Sequence, residues 1–422
     1  MRQSSDRRID RGPLILRCRD VPVVNELATS VLAEARSRET CAIRCPVGAN
    51  QKRKGVLTRA SQAMKERTSV STSGPGGTEG TTRDVRVLYV GGFGRSGSTL
   101  IERLLGELPG VCPVGELVHL WQRGVLAGER CGCGAPFHDC PFWRRVGAIA
   151  FGGWHNADVD RISSLRRQVD RNRFIPLLAT SEGPPAFRRA LSEYLAVYLR
   201  LYTAVAEASS CPIVVDSSKL ASLAFCLRRC DDLDLRVLHV VRDSRAVAYS
   251  WTRHVYRPDV ALPGSDGQAV QRSAAAHSYM TTYPPASAAL RWNIQNSALH
   301  VLARSGTPTS LVRYEDVVRD PELVLREVAA FAGVPLSDEA LRFLSGGDGD
   351  GRHADLSASH TVSGNRVRFL SGRVPIRQDD AWQAAMSAGQ RCTVTALTLP
   401  LLSRYGYVRS GGWLARNRLR AS

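Results

Sequence analysis

The chain has 422 residues, of which 43% are hydrophobic, so it is long enough to bury one large core or two smaller ones. Its formal net charge of +18 favours an anionic ligand, a nucleic acid or an acidic surface as a partner, without choosing among them. No segment approaches the ~20 consecutive apolar residues of a membrane span, and the first residues lack the apolar core of a secretory signal, so we expect a cytoplasmic protein without stable membrane insertion.

Residues 1–83 differ in composition from the rest of the chain. They carry clusters of arginine and lysine and end in the linker-like sequence STSGPGGTEGTT, which predicts a disordered basic extension. A folded domain is predicted at residues 84–407, followed by a basic tail at 408–422. The extension contains no folded reader motif for nucleic acid, so a non-catalytic nucleic-acid-binding protein is kept only as an alternative.

The folded domain opens with VRVLYVGGFGRSGSTLIERLL, residues 85–105. Its apolar, β-branched start predicts a buried strand, and a helix with one apolar face is predicted from about Ser98. The glycines between them allow backbone N–H groups to close around a phosphate at the helix N-terminus. The loop fits G-x-x-x-x-G-K-[ST] except that Ser98 replaces the lysine, while Arg95 supplies a cation within the loop. The missing lysine counts against a P-loop kinase or NTPase, which stays an alternative.

The sequence GRSGSTL after a strand resembles the 5′-phosphosulfate loop of sulfotransferases that use 3′-phosphoadenosine 5′-phosphosulfate (PAPS) as donor. The alternation of strands and helices favours an α/β fold, which we expect to be a three-layer, P-loop-like domain with a mostly parallel sheet. The resemblance implies that the loop residues bind the phosphosulfate, namely Gly94, Arg95, Ser96, Gly97, Ser98 and Thr99.

A second short strand is predicted at residues 111–115, directly before Glu116. The Gly-Glu pair resembles the carbohydrate and tyrosylprotein branches of the sulfotransferases more than the cytosolic phenol branch. The resemblance implies that Glu116 is the base that removes the acceptor's proton. Two alternatives are that Glu116 caps the following helix, and that His119 is the base.

Four soft metal ligands, Cys131, Cys133, His138 and Cys140, lie within ten residues of one another. A tetrahedral zinc ion needs four ligands, so a structural zinc site is one hypothesis for this segment. The others are reduced thiols packed among aromatic side chains, or a disulfide. Eleven cysteines, an odd number spread over a large chain, argue against a full disulfide framework.

A further strand, Ile213 to Val215, is predicted to end before the sequence DSSK. Polar residues at the carboxyl end of a parallel strand are placed where such sheets bind ligands. The sequence resembles a sulfotransferase segment whose lysine reaches the transferred sulfonate, which assigns Lys219 to catalysis together with Glu116 and Arg95. The alternative is that the segment caps the next helix through Ser217.

The sequence LRVLHVVRDSRAVAYSW, residues 235–251, predicts a strand that ends at Arg242 and a helix that carries Ser250. Sulfotransferases place an arginine and, eight residues later, a serine on the donor's 3′-phosphate, and Arg242 and Ser250 match that spacing. A guanidinium gives phosphate a forked, permanently charged donor, and the hydroxyl adds a neutral one. Arg242 alone would also fit a structural ion pair.

Two later segments complete the resemblance. Residues 309–316, TSLVRYED, are predicted to form a strand that runs into Tyr314 near its end. The resemblance places Tyr314 against the adenine, and the alternative is that Tyr314 packs in the core. A helix is predicted at residues 321–332. Residues 346–372 are glycine-rich and are predicted to be irregular; within them, Arg368 is chosen as the cation that closes over the 3′-phosphate.

These residues together predict a bacterial PAPS-dependent sulfotransferase. It would transfer a sulfonate group to a hydroxyl, or less favourably an amine, of a small-molecule, carbohydrate or lipid acceptor. The chemistry requires no metal, and we expect no nucleic-acid partner. The sequence predicts neither the acceptor nor the oligomeric state.

Overall fold

The central sheet contains five parallel strands. They are β1 (Val85–Gly92), β2 (Val111–Gly115), β3 (Ile213–Lys219), β4 (Leu233–Val241) and β5 (Thr309–Arg313). Their order in the sheet is β2-β3-β1-β4-β5, and every adjacent pair is parallel. This order brings the carboxyl ends of β3, β1 and β4 side by side, which is where open parallel sheets bind ligands.

The computed structural model describes residues 85–180, 183–255, 279–346 and 351–408, which all lie within one compact unit spanning residues 79–422. The predicted extension at residues 1–83 and the predicted tail beyond Val408 lie outside the described residues. No helix in the described ranges is both long enough and apolar enough to cross a bilayer.

The helices lie between and after these strands. They are α1 (Ser98–Leu105), α2 (Pro141–Phe151), α3 (Val159–Val169), α4 (Ile175–Ala179), α5 (Pro185–Ser209), α6 (Ala221–Leu227), α7 (Ser244–Thr252), α8 (Pro285–Arg304), α9 (Tyr314–Arg319), α10 (Pro321–Ala332), α11 (Ala381–Ala385) and α12 (Ala388–Arg404). After β2 the chain forms a 3-10 turn at Leu117–His119 and a π-helical turn at Leu120–Leu126.

Alternate residues of β1 enter two different cores, because successive strand side chains point to opposite faces of the sheet. Val87 and Tyr89 pack in a core that also contains buried residues of α2, α3, α5 and α6. Leu88 and Val90 pack in a second core with residues of α1 and α10. Helices therefore cover both faces, and the predicted three-layer α/β fold with a parallel sheet is confirmed.

A small antiparallel sheet follows the central one in sequence. Its strands are β6 (Leu344–Ser345), β7 (Arg352–Leu356) and β8 (Gly372–Ile376), in the order β6-β7-β8. The prediction that residues 346–372 are irregular was therefore wrong for β7. That strand buries Ala354 and Leu356 alternately, a period-2 pattern too short to stand out among the glycines.

Residues 357–370, between β7 and β8, fold back along α1 and the end of β2. We refer to them as segment 357–370. Val362 pairs with Gly115 in a parallel bridge, and its carbonyl accepts a hydrogen bond of 2.8 Å from the Glu116 N–H. The buried Arg103 guanidinium of α1 donates to the carbonyls of Arg368, at 2.8 Å, and Leu370, at 3.0 Å. These contacts hold the segment beside the predicted active site.

Candidate active site

The loop between β1 and α1 has the backbone of an anion site. Arg95 and Gly97 both adopt left-handed conformations, with φ of 72° and 87°. Arginine rarely takes a positive φ, and such strain is typically retained at functional positions. Turns of this kind direct successive N–H groups toward one point, where the helix N-terminus adds its partial positive charge.

Two side chains of this loop contain buried polar atoms without hydrogen-bond partners in the described part of the chain. Within the described part of the chain, no hydrogen-bond partner reaches Nε or Nη2 of Arg95, or Oγ of Ser96. The Arg95 guanidinium lies 5.2 Å from the centre of the Trp251 ring. Burial lowers the pKa of Arg95, and the nearby Glu116 carboxylate opposes that effect. Buried donors are normally paired, so these atoms could hydrogen-bond to a bound anion.

Arg242 lies directly after β4, next to the loop. Its Nη1 donates to the Arg95 carbonyl at 3.3 Å, and its Nη2 donates to the Asp379 carbonyl at 2.8 Å. The same Nη2 lies 3.4 Å from the carboxylate of Asp379, so part of the ion-pair alternative is present in the structure. The structure thus brings Arg242 and Arg95 together, as the sequence predicts.

Ser250 lies half-buried on α7, the helix that begins after β4. The next residue, Trp251, was missed by the sequence analysis. Its indole N–H donates to the Gly94 carbonyl at 3.0 Å, and a Cβ added at Gly94 would lie 2.7 Å from the Trp251 ring. These contacts pack α7 against the loop. In the sequence, the only indication of a role for Trp251 was its position next to Ser250.

Tyr314 packs beneath the loop and Arg242. A Cβ at Gly97 would lie 2.2 Å from the Tyr314 ring, and the Arg242 guanidinium lies 4.6 Å from the ring centre. The hydroxyl donates to the Arg377 carbonyl at 3.0 Å, and the residue is only 7% exposed. Tyr314 therefore packs in the way that the alternative interpretation describes, and its contact with adenine stays a prediction.

Glu116 and Lys219 form an ion pair across the ends of β2 and β3. Lys219 Nζ lies 2.5 Å from Glu116 Oε1, and both side chains are mostly buried. Burial would raise the pKa of Glu116, but Lys219, with His119 and Arg123, holds the pKa below its ordinary value. Glu116 is therefore ionised at neutral pH.

The pair of Glu116 and Lys219 and the loop between β1 and α1 lie next to the same point of segment 357–370. A Cβ added at Gly364 would lie 3.5 Å from both Glu116 Oε1 and Thr99 Oγ1. The loop residue Thr99 and the predicted base are thus neighbours. His119 Nε2 lies 3.5 Å from Glu116 Oε2, and burial lowers the His119 pKa against the attraction of that carboxylate, so the ring is neutral at pH 7.

A second carboxylate, Glu102 of α1, holds these strand ends in place and was not found from the sequence. Its oxygens accept hydrogen bonds from Gly115 N, at 2.5 Å, and Ser217 Oγ, at 2.6 Å. Burial raises the pKa of Glu102 to about 7, although both hydrogen bonds oppose the shift. Ser217 lies inside β3, so the alternative in which it caps a helix is wrong. A lone glutamate on a helix gives no sign of which strands it contacts.

Arg368 lies in segment 357–370. Its guanidinium is buried and donates to the carbonyls of Thr361, at 2.6 Å, and Arg130, at 2.7 Å. Its Cδ lies 3.9 Å from the Cβ position of Gly364, which itself lies 3.5 Å from Glu116 Oε1, and its contact with a 3′-phosphate stays a prediction. A buried guanidinium requires acceptors, and backbone carbonyls supply them, so Arg368 ties segment 357–370 to the cysteine-containing turn.

The family model of the sulfotransferase domain matches residues 88–344, which is more than half of the chain. The chain belongs to the sulfotransferase domain family. The sulfotransferase assignment covers β1 to β6 and favours sulfonate transfer over the kinase alternative. A search of curated protein sequences finds no significant match.

Several solved structures are similar to this sulfotransferase. The sulfotransferase domain of the Synechococcus PCC 7002 olefin synthase is 19% identical, with 75% of this chain and 94% of that chain covered and a TM-score of 0.38. Sulfotransferase STF9 from Mycobacterium avium is 16% identical, covering 61% and 66%, with a TM-score of 0.31. Sulfotransferase STF1 from Mycobacterium tuberculosis H37Rv is 17% identical, covering 60% and 69%, with a TM-score of 0.32.

The cysteine-rich part of this sulfotransferase differs from the sequence hypothesis in one ligand. Cys131, Cys133 and Cys140 converge with His360, and their ligand atoms all lie within 4.8 Å of one another. His138 is exposed, and its Nε2 lies 3.0 Å from the Val125 carbonyl, so it was the wrong histidine. The three thiols are free, which excludes a disulfide among them in this structure.

Proposed function

We propose that this domain transfers the sulfonate group of PAPS to a hydroxyl, or less favourably an amine, of an organic acceptor. The observation that carries the proposal is the loop between β1 and α1, where Nε and Nη2 of Arg95 and Oγ of Ser96 are buried and have no hydrogen-bond partner in the described part of the chain. An anionic phosphosulfate supplies acceptors for those donors and for the converging N–H groups. The residues present therefore fit the donor.

The two ends of the donor would be held by different groups. Arg95, Ser98, Thr99 and the loop N–H groups would hold the 5′-phosphosulfate. Arg242 and Ser250 would hold the 3′-phosphate, whose two negative charges displace the exposed carboxylate of Asp379 from the guanidinium. The Arg242 guanidinium lies 4.6 Å from the centre of the Tyr314 ring, a contact that would help to hold the fork in place before the donor arrives.

The transfer itself needs a base and a cation near the sulfur. The acceptor oxygen attacks sulfur, its proton passes to a Glu116 carboxylate oxygen, and the bond between sulfur and the bridging oxygen of the 5′-phosphate breaks. Lys219 neutralises the charge that develops on that bridging oxygen, and 3′,5′-adenosine bisphosphate leaves. When Lys219 turns toward the donor, burial raises the pKa of Glu116 and makes it a stronger base.

The residues at the proposed transfer site guide the choice of acceptors. The Glu116 and Lys219 pair supports the carbohydrate and tyrosylprotein branches, because that resemblance places both groups at the sulfonate. Sugars, long-chain alcohols and phenols are therefore the panel to screen, with formation of 3′,5′-adenosine bisphosphate from PAPS as the readout.

Calorimetric titration of the full chain with 3′,5′-adenosine bisphosphate and with ATP tests the donor site. We expect bisphosphate to bind at least tenfold more tightly than ATP, without magnesium, and Arg242→Ala to lose at least tenfold in bisphosphate affinity. Arg245→Ala is the matched control, because Arg245 lies three residues away and pairs with Asp243 at 2.6 Å. Magnesium-dependent ATP binding that ignores the 3′-phosphate would overturn the proposal in favour of a kinase or NTPase.

A further inference from the structure

Three sulfur atoms and one nitrogen atom converge beside the active site, and the proposed sulfonate transfer uses none of them. We refer to Cys131, Cys133, Cys140 and His360 as the Cys3His cluster. The Sγ atom of Cys140 lies 3.6 Å from Sγ of Cys131 and 3.8 Å from Sγ of Cys133. His360 Nδ1 lies 3.3 Å from Sγ of Cys140 and 3.7 Å from Sγ of Cys131.

Four of the six separations among the ligand atoms match the edges of a zinc tetrahedron. With Zn–S bonds of about 2.3 Å and Zn–N bonds of about 2.0 Å, tetrahedral geometry places sulfurs about 3.8 Å apart and sulfur about 3.5 Å from nitrogen. The four separations agree with these values to within about 0.2 Å. The other two, from Cys133 Sγ to Cys131 Sγ and to His360 Nδ1, are at most 4.8 Å. A disulfide would require sulfurs at about 2.05 Å, so the cluster has the spacing of ligands around an ion and not of a covalent bond.

The ligands are held in this arrangement by their own backbone. Cys131 N donates to the Ala135 carbonyl at 2.8 Å and its carbonyl accepts from Gly134 N at 2.9 Å, which closes a tight turn with φ of 90° at Gly134. The turn packs directly on segment 357–370, because a Cβ at Gly132 would lie 2.6 Å from Thr361 Oγ1. The backbone therefore brings the four ligand atoms to within 4.8 Å of one another.

The histidine is fixed by contacts outside the cluster. The His360 ring stacks on Phe142 with centroids 4.9 Å apart. The backbone carbonyl of His360 accepts a hydrogen bond of 2.8 Å from Trp143 Nε1. Such outer contacts orient ligating histidines in metal sites. His360 is separated from Cys140 by 220 positions in the sequence, so a shared ion would join two distant parts of the chain.

We propose that the Cys3His cluster binds one Zn²⁺ ion, which fastens segment 357–370 beside β2, the strand that ends directly before Glu116. Three thiolates and a neutral imidazole select a soft, tetrahedral ion, and four protein ligands leave no open position, as in structural zinc centres. Two residues beyond His360, Val362 N donates to the Val114 carbonyl at 2.9 Å and the Val362 carbonyl accepts from Glu116 N at 2.8 Å. The metal is thus linked to the Glu116 backbone through two residues of chain.

Metal analysis of the purified full chain tests the binding. We expect about one zinc per chain by mass spectrometry, and the charge-transfer absorption of thiolate-bound tetrahedral cobalt after exchange for Co²⁺. Cys140→Ser and His360→Ala should lose or strongly weaken the metal. His138→Ala and Cys392→Ser are the matched controls, since His138 lies outside the cluster and Cys392 is an exposed thiol, and both should keep one zinc.

Two outcomes would overturn the metal site. One is wild-type protein that contains no zinc and develops no cobalt spectrum on reconstitution. The other is His138→Ala losing the metal as fully as His360→Ala. If the cluster variants do not fold, chelator titration of the wild type decides the matter, because removal of a structural zinc lowers the melting temperature.

Hydrogen exchange tests the link to Glu116, the one part that rests on the proposed function. Removing zinc should speed exchange at the amides of Glu116 and Val362 by at least tenfold and leave α10 unchanged. Unchanged protection in zinc-free protein would overturn the link while leaving the metal site in place. Zinc content does not depend on donor binding, so a chain that holds zinc but does not bind 3′,5′-adenosine bisphosphate would refute only the proposed function.

Discussion

Lys219 Nζ lies 2.5 Å from Oε1 of Glu116, across the ends of two neighbouring parallel strands. The pair joins two residues about a hundred positions apart, one predicted to take the acceptor's proton and the other to reach the transferred sulfonate. In the structure Lys219 holds the pKa of the buried Glu116 below its ordinary value, so a change at Lys219 also changes the proposed base.

Replacing the proposed base should abolish transfer and spare the donor site. We expect Glu116→Gln to lower kcat by about 100-fold or more, because general-base catalysis typically contributes that much. Binding of 3′,5′-adenosine bisphosphate should change less than threefold. Steady-state kinetics with the best acceptor of the panel, beside His119→Ala, separates the two candidate bases. A larger kcat loss in His119→Ala would assign the base to His119.

Removing the cation should shift the pH profile of the base. In Lys219→Met, burial of Glu116 is no longer opposed by the ammonium, so its pKa rises and the acid limb of kcat moves to higher pH. Lys219→Arg keeps the charge and should restore most of that limb. An acid limb at the same pH in all three proteins would show that Glu116 is not the titrating group.

The ion pair also contributes to the free energy of unfolding at neutral pH. The pKa of Glu116 determines how this contribution changes with pH. The folded-state pKa of Glu116 lies below its ordinary value, so its contribution is present at neutral pH and is lost as the pH falls through the folded pKa. We therefore expect the difference in unfolding free energy between wild type and Glu116→Gln to shrink below about pH 4. Denaturant unfolding at pH 7, 5 and 3.5 measures it, and a difference that grows toward pH 3.5 would contradict the sign.

The contribution of Glu102 to the free energy of unfolding should change with pH in the opposite direction. Its folded-state pKa is about 7, above the ordinary value of 4.5, so its contribution is complete below about pH 4.5 and declines as the pH rises to 7. Glu102→Gln keeps an acceptor for Gly115 N and a polar group beside Ser217. We expect the variant to gain stability relative to wild type as pH rises, by roughly 3 kcal/mol at most at pH 8. A pH-independent difference between the two proteins would contradict this prediction.

Arg95 should lower the stability of the ligand-free protein while being required for donor binding. Arg95→Gly removes buried, unpaired N–H groups from the ligand-free protein and should abolish most 3′,5′-adenosine bisphosphate binding. Ser210→Gly is the matched control, because Ser210 also has a positive φ, of 57°, and shares the backbone effects of glycine. We expect Arg95→Gly to exceed Ser210→Gly in unfolding free energy by about 1 kcal/mol. Lower stability of Arg95→Gly would mean that the guanidinium is satisfied in solution.

Features that depend on local spacing could be predicted from the sequence. The strand, glycine loop and helix at residues 85–105 follow from apolar periodicity and from the conformations that glycine permits. Arg242 and Ser250 follow from an eight-residue spacing across a strand end and a helix. Glu116 and Lys219 could be inferred together because parallel strands end at one edge of a sheet.

Which distant residues meet depends on the tertiary fold. The fold brings His360, and not His138, beside the three cysteines, sets Arg368 against backbone carbonyls, and places Glu102 beneath the ends of β2 and β3. Each of these contacts depends on how segment 357–370 or α1 packs against strands far away in sequence. Such contacts depend on how whole helices and strands fit together, so the local spacing of residue types does not predict them.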